Sequence, residues 1–111
     1  MQDRYKEKKL KTFLIHRLRR ISYMWPNRKK AMAAARIERG RYKCATCENI
    51  FGPKEISLDH VAPVVPVTGW DDWDGFLYRL FCEEQGFQVL CKTCHDNKTK
   101  EENLERKKYE R

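Results

Sequence analysis

Apolar residues recur at helical spacing through residues 5–22, where Leu10, Phe13, Leu14, Leu18 and Ile21 interleave with Lys8, Lys9, Lys11, Arg19 and Arg20. Trp25-Pro26-Asn27 interrupts this helix, and Pro26 suits the first turn of a second. The second helix is expected to run to about Arg39 through Ala31-Met32-Ala33-Ala34-Ala35, with Gly40 as its stop. Asn49 to Pro53 reads as a turn. From Glu55 to Val61, Ile56 and Leu58 alternate with polar residues, which predicts a short strand ending at Asp59-His60. Pro63 and Pro66 deny a regular strand beyond it. Trp73, Phe76, Leu77, Leu80 and Phe81 then mark a helix over 73–81, with Asp71, Asp72 and Asp74 as capping and first-turn acids. Phe87-Gln88-Val89-Leu90 predicts a second short strand. A polar helix from about Thr93 carries His95, Lys98 and Lys100 into a charged tail.

The length of 111 residues bounds the chain to one domain with a modest core. No stretch is long and apolar enough to span a membrane, and Met1-Gln2-Asp3 opens no signal peptide, so a reducing, cytoplasmic setting is expected. Charge changes the picture more. The net +8 divides into +12 over residues 1–43 (15 Lys/Arg against 3 Asp/Glu), −6 over 44–90 (2 against 8) and +2 over 91–111 (7 against 5). A basic arm beside a mildly acidic centre suits a polyanionic partner, because cationic side chains neutralise phosphates and release counterions. Arg17, Arg19, Arg20, Arg28, Lys29 and Lys30 are the candidate nucleic-acid contacts of the arm. Lys98 serves equally well as a phosphate contact or a solvated helix residue. Nothing in the arm reads as a base-specific recognition element.

Candidate chemistry lies in the cysteines and what they enclose. Cys44-Ala-Thr-Cys47 and Cys91-Lys-Thr-Cys94 form two C-x-x-C turns, the spacing that lets four thiolates surround one structural zinc ion. Cys82, in Leu80-Phe81-Cys82, reads as a small buried hydrophobe. Asp59-His60 between the two turns and His95 directly after the second are surplus to a structural zinc site. A metal-dependent hydrolytic site would use them.

Leu58-Asp59-His60-x-x-Pro63, followed by Gln88-Val89-Leu90-Cys91-x-x-Cys94-His95-x-x-Lys98-Thr99, resembles the zinc-containing HNH endonuclease family, small phage-type members in particular. Arg39-Gly40-x-Tyr42-x-Cys44-x-x-Cys47 is similar to the opening of such domains. The resemblance implies an α+β fold, a small ββα-metal (His-Me finger) core over residues 39–111 with a four-cysteine structural zinc, preceded by two basic α-helices in a 1–38 extension. It implies hydrolysis of DNA phosphodiester bonds, with His60 activating water and Asp59 and His95 holding one Mg²⁺ or Mn²⁺ ion. Zinc on Cys44, Cys47, Cys91 and Cys94 would be purely structural. By analogy with phage members, packaging or replication proteins are expected partners beside DNA. The competing reading is a zinc-stapled module that binds nucleic acid, or docks a partner, without catalysis. The chain departs from the family pattern at Gly86, where an Asn commonly braces the loop. The aromatic helix at 73–81 is expected to do the bracing here by packing.

Overall fold

The computed structural model describes residues 4–110. In chain order these form helices α1 (Arg4–Ser22) and α2 (Pro26–Ala35), strands β1 (Arg36–Glu38), β2 (Arg41–Lys43), β3 (Ile50–Phe51) and β4 (Ile56–His60), helix α3 (Trp73–Leu80), strand β5 (Phe87–Cys91) and helix α4 (Lys92–Lys107). Strands β1, β2 and β3 form one small antiparallel sheet, and β4 with β5 forms a second. The fold is α+β. No described helix is long and apolar enough to cross a membrane.

The β4–β5 hairpin is the centre of the molecule. Its register is unbroken from Ile56 opposite Cys91 to His60 opposite Phe87. Phe87, Val89, Leu90 and Cys91 are all buried, as expected of a strand covered on both faces. Helices α2 and α4 both pack against it, and α4 follows β5 without a loop. Cys91 makes that abrupt start possible. It is the N-cap of α4, and its thiol accepts from the Cys94 N–H at 3.5 Å.

Apolar packing is divided between two small clusters. One joins Cys44, Leu90 and Cys91 with Phe51 and Cys94. The other joins Val64, Phe76 and Leu80 with Ile15, Leu18, Val65, Trp70, Trp73 and Phe81. Phe76, fully buried, is the centre of the second, and Trp70 and Trp73 approach its ring at 5.2 and 5.9 Å. Asp72 caps α3 as predicted, accepting from Gly75 N at 2.7 Å. Asp71 instead pairs with Arg79 at 2.7 Å, and that bond holds its carboxyl below the ordinary range. Arg79 also donates to Val64 O, and Arg106 of α4 donates to Val65 O and Pro66 O. The irregular chain between β4 and α3 is therefore pinned by two arginines.

Three expectations are corrected. The second helix ends at Ala35, not near Arg39. Arg36–Glu38 turns extended and pairs with Arg41–Lys43 across Gly40, whose φ is +72°. The ladder replaces the helical hydrogen bonds those residues give up, and the hairpin directs the chain into the first cysteine turn. The packed stripe of α1 is also rotated from its expected position. Ile15 and Leu18 join the core and the Lys11 ammonium lies 3.9 Å from the centre of the Trp70 ring, while Leu10, Phe13 and Ile21 are 58, 55 and 55 % exposed. Strand β3, within the stretch expected to be a turn, pairs Ile50 and Phe51 with Lys43 and Tyr42.

Candidate active site and metal centre

The first cysteine turn is shaped by the backbone before any metal is considered. Cys44 N donates to Asn49 O and Glu48 N to Cys44 O, and Glu48 closes the turn at φ 64°. Ala45 N donates to Val89 O, which fastens the turn to β5 and sets it against the second cysteine pair. The ligand atoms of Cys44, Cys47, Cys91 and Cys94 all lie within 4.8 Å of one another, and the Cys47 and Cys91 sulfurs are 3.9 Å apart. Four Zn–S bonds of about 2.3 Å require sulfurs about 3.8 Å apart, so the four cysteines fit one tetrahedral zinc ion. Among the described residues theirs is the one group of three or more potential ligands this close.

Their proton affinities are already split. Burial pushes the Cys44 thiol up, but backbone hydrogen bonds at Cys91, Cys47 and Thr46 outweigh it and bring the group to about 6. Cys94 is pushed up to about 12 by its bonds to Cys91 and by burial, with the Cys44 charge adding to both. A cation among the four sulfurs would favour their thiolate forms.

Strand pleat sorts the Asp59-His60 pair onto opposite faces of the hairpin. Asp59 turns toward α4. Its Oδ1 lies 3.9 Å from His95 Nε2, while its Oδ2 accepts from Lys98 Nζ at 3.0 Å and from Gln88 Nε2 at 3.3 Å. One carboxylate oxygen is thus tied down by two donors and the other faces the imidazole. Two metal–ligand bonds of about 2.1 Å reach across such a gap, so Asp59 Oδ1 and His95 Nε2 fit one divalent cation. Lys98 is held between Asp59 and Glu102, at 3.0 and 2.9 Å, and its third bond goes to His60 O. Burial works against its charge, but the two carboxylates win and raise its pKa. It is neither a solvated helix residue nor a freely reaching cation.

His60 turns to the other face, against Phe87 at 4.8 Å between ring centroids. Its Nε2 lies 3.2 Å from Leu80 O. A carbonyl only accepts, so Nε2 carries the proton and Nδ1 is left with its lone pair. Burial lowers the pKa of this histidine. The Leu80 carbonyl pulls the other way, and the positive charge of Arg28 adds to the lowering. These surroundings favour the neutral imidazole.

The comparisons with known proteins bear on this arrangement. No model of a known protein family and no solved structure matches the chain. A curated protein of Lactococcus phage SK1, named "Probable HNH endonuclease", is 32% identical over 79 residues, covering 69% of this chain and 77% of its own. The chain belongs to the HNH endonuclease family. The four-cysteine cluster, the Asp59-His60 strand and the His95 helix start are the parts on which the family resemblance rests.

Within this HNH endonuclease family member, the predicted arm residues are unequally placed. Arg17, Arg19, Arg20, Lys29 and Lys30 are exposed, whereas Arg28 is half-buried. Sequence reasoning assigns no role to Gln88 beside Asp59, to Glu102 behind Lys98 or to the Leu80 carbonyl on His60. Glu102 follows Lys98 at the i, i+4 spacing and was findable on that ground. Gln88 follows from pairing the two strands with Asp59 opposite it. The Leu80 contact had no local signal.

Proposed function

We propose that the protein is a metal-dependent DNA endonuclease that hydrolyses phosphodiester bonds of duplex DNA. The observation that carries this reading is the division of labour on β4. Asp59 Oδ1 faces His95 Nε2 at 3.9 Å, and the adjoining His60 is fixed through Nε2 on Leu80 O with Nδ1 free to accept. His60 is the general base. Its Nδ1 takes the proton of a water molecule as the water oxygen bonds to phosphorus and the bond to the 3′ oxygen breaks. A lowered pKa keeps the ring in its accepting form at neutral pH. Asp59 and His95 would hold one Mg²⁺ or Mn²⁺ ion, which when bound neutralises charge on the phosphate and on the departing oxygen. Lys98 and Gln88 hold the second oxygen of Asp59 and so keep its first aimed at His95. Zinc on the four cysteines is structural, joining the turn before β4 to the start of α4. Arg17, Arg19, Arg20, Lys29 and Lys30 bring the phosphate backbone to this site by charge. Proteins of phage genome packaging or replication are the partner class implied by the family resemblance.

The test is conversion of supercoiled plasmid by the zinc-loaded protein and by His60→Ala, with Mg²⁺ or Mn²⁺ and with no added divalent cation. Cleavage should require the added cation and fall by about 10²–10⁴-fold in His60→Ala, the usual contribution of a positioned base. Zinc content and melting temperature should match wild type. DNA binding by both proteins without cleavage by either would replace this reading with a zinc-stapled binding module.

A further inference from the structure

Arg28 belongs to the basic arm in sequence but not in placement. Its neighbours Lys29 and Lys30 are exposed, while its own side chain turns in. The guanidinium carbon lies 4.8 Å from the Tyr23 ring centroid and 5.4 Å from that of Phe87. Phe87 is the cross-strand partner of His60, and the two rings are 4.8 Å apart. Arg28 and His60 therefore flank one aromatic ring on one face of the hairpin.

The backbone fixes this arrangement from a single segment. Trp25 Nε1 and Asn27 Nδ2 both donate to Cys82 O, at 2.7 and 3.1 Å, which ties the first turn of α2 to the chain leaving α3. Two residues earlier, Leu80 O holds His60 Nε2. A short stretch, residues 80–82, thus sets the position of the base and of the arginine together. A cleft of about 520 Å³ opens on the same face, lined by Tyr23, Arg28, Lys29, Met32, Arg36 and Leu58 among others. Its lining holds three cations and no carboxylate. No carboxylate of the described residues lies within ion-pair distance of Arg28, a half-buried charge that has aromatic faces for company and no anion.

We propose that Arg28 grips the non-bridging oxygens of the scissile phosphodiester beside His60, so that the basic arm supplies a catalytic residue. This deepens the nuclease reading and rests on it. A guanidinium offers two parallel donors that match two phosphate oxygens, which an ammonium cannot do. Stacking on both rings limits its freedom before substrate arrives, so little ordering remains to be done when charge builds on the phosphate.

The experiment is single-turnover cleavage of supercoiled plasmid at saturating enzyme, using the full zinc-loaded chain with Mg²⁺ or Mn²⁺. Wild type is compared with Arg28→Gln, Arg28→Lys and Lys54→Gln, the last an exposed lysine that controls for loss of one charge. Arg28→Gln should lower the saturated rate about 10²-fold, the usual loss on removing one preorganised donor. Arg28→Lys should recover only part of it, and Lys54→Gln should cut at the wild-type rate. An Arg28→Gln rate equal to wild type at saturation, with only affinity reduced, would overturn the proposal and leave the nuclease reading intact. Should Arg28→Gln lose zinc or melt early, Arg28→Lys decides: a full rate overturns the proposal, a slowed rate at unchanged melting temperature supports it. A second readout is independent of cleavage. Titration of a short DNA duplex without added divalent cation should move the His60 ring ¹H–¹⁵N resonances in wild type and Lys54→Gln, but not in Arg28→Gln. If wild type does not cut yet shows this pattern, phosphate docking by Arg28 stands and the nuclease reading falls. The wild-type shift persisting in Arg28→Gln would sink the docking.

Discussion

Gly86 occupies a position that leaves no room for a side chain. A Cβ there would meet Cys82 Sγ at 2.6 Å and Cys82 Cβ at 2.7 Å, both closer than real Cβ atoms approach. The backbone at Gly86 meanwhile does the bracing that the family pattern assigns to a side chain, with Val61 N donating to Gly86 O at 2.8 Å. An asparagine at this place would collide with Cys82. Gly86→Ala should cost about 1–3 kcal/mol of stability, as overpacking of a tight site does, read from the urea midpoint. Adding Cys82→Ala should restore only part, because the Cβ of residue 82 remains. A midpoint equal to wild type in Gly86→Ala would mean the segment has slack after all. The candidate residues were legible in the sequence for a simple reason. Each C-x-x-C turn puts its two thiols on one side of the chain, and Asp59, His60 and His95 stand at the motif positions on which the family resemblance rests, although Asp59 and His95 meet only through the fold. Gln88 and the Leu80 carbonyl were not legible, because each meets its partner only through strand register or through the return of the chain after α3.

At the scale of elements, the short strands leave room for a metal to stabilise the fold. Strands β1, β2 and β3 have three, three and two residues, too few to stand without further support. The cluster around Leu90 consists largely of the ligands themselves, so apolar burial alone offers little there. A zinc ion on the four cysteines would then be part of folding, and it would touch α4 as well, since Cys91 caps that helix. Stripping the metal with a strong chelator, or replacing Cys47 by Ser, should lower the melting temperature and abolish stoichiometric zinc. The aromatic cluster around Phe76 should be the last part to lose its near-ultraviolet signal. Zinc return at neutral pH should release protons, measurable by calorimetry in buffers of different ionisation enthalpy. Full thermal stability of the zinc-free protein would refute the structural role. The end of α2 shows where element-level reasoning fails from sequence. Gly40 at positive φ serves a helix stop and a tight strand return equally well, and only the pairing of Arg36–Glu38 with Arg41–Lys43 distinguishes them.

At the scale of the whole molecule, the basic arm and the hairpin are physically joined. Helix α2 packs on β5, β1 pairs with β2, and Ile15 and Leu18 of α1 enter the cluster around Phe76. Removing residues 1–38 would therefore strip packing along with charge, and would not isolate the contribution of the arm to binding. The shape points to a cleaner experiment. With principal extents of 57 × 31 × 20 Å and a radius of gyration of 16.2 Å, the chain is more extended than the roughly 13 Å of a compact domain near this size. Charge on the outward faces of α1 and α2 is thus spread along a long surface, a form suited to tracking a phosphate backbone. Arg20, Lys29 and Lys30 are exposed, and no ion pair among the described residues engages them. Replacing all three by Gln should leave zinc content and melting temperature unchanged. It should weaken DNA binding and reduce the slope of log affinity against log salt by roughly 0.9 for each phosphate that is no longer neutralised. Binding curves at several salt concentrations, taken without added divalent cation, give both quantities. A triple variant with the wild-type slope would assign the arm to a protein partner. A reduced slope would identify the outward faces of α1 and α2 as a surface that contacts the phosphate backbone.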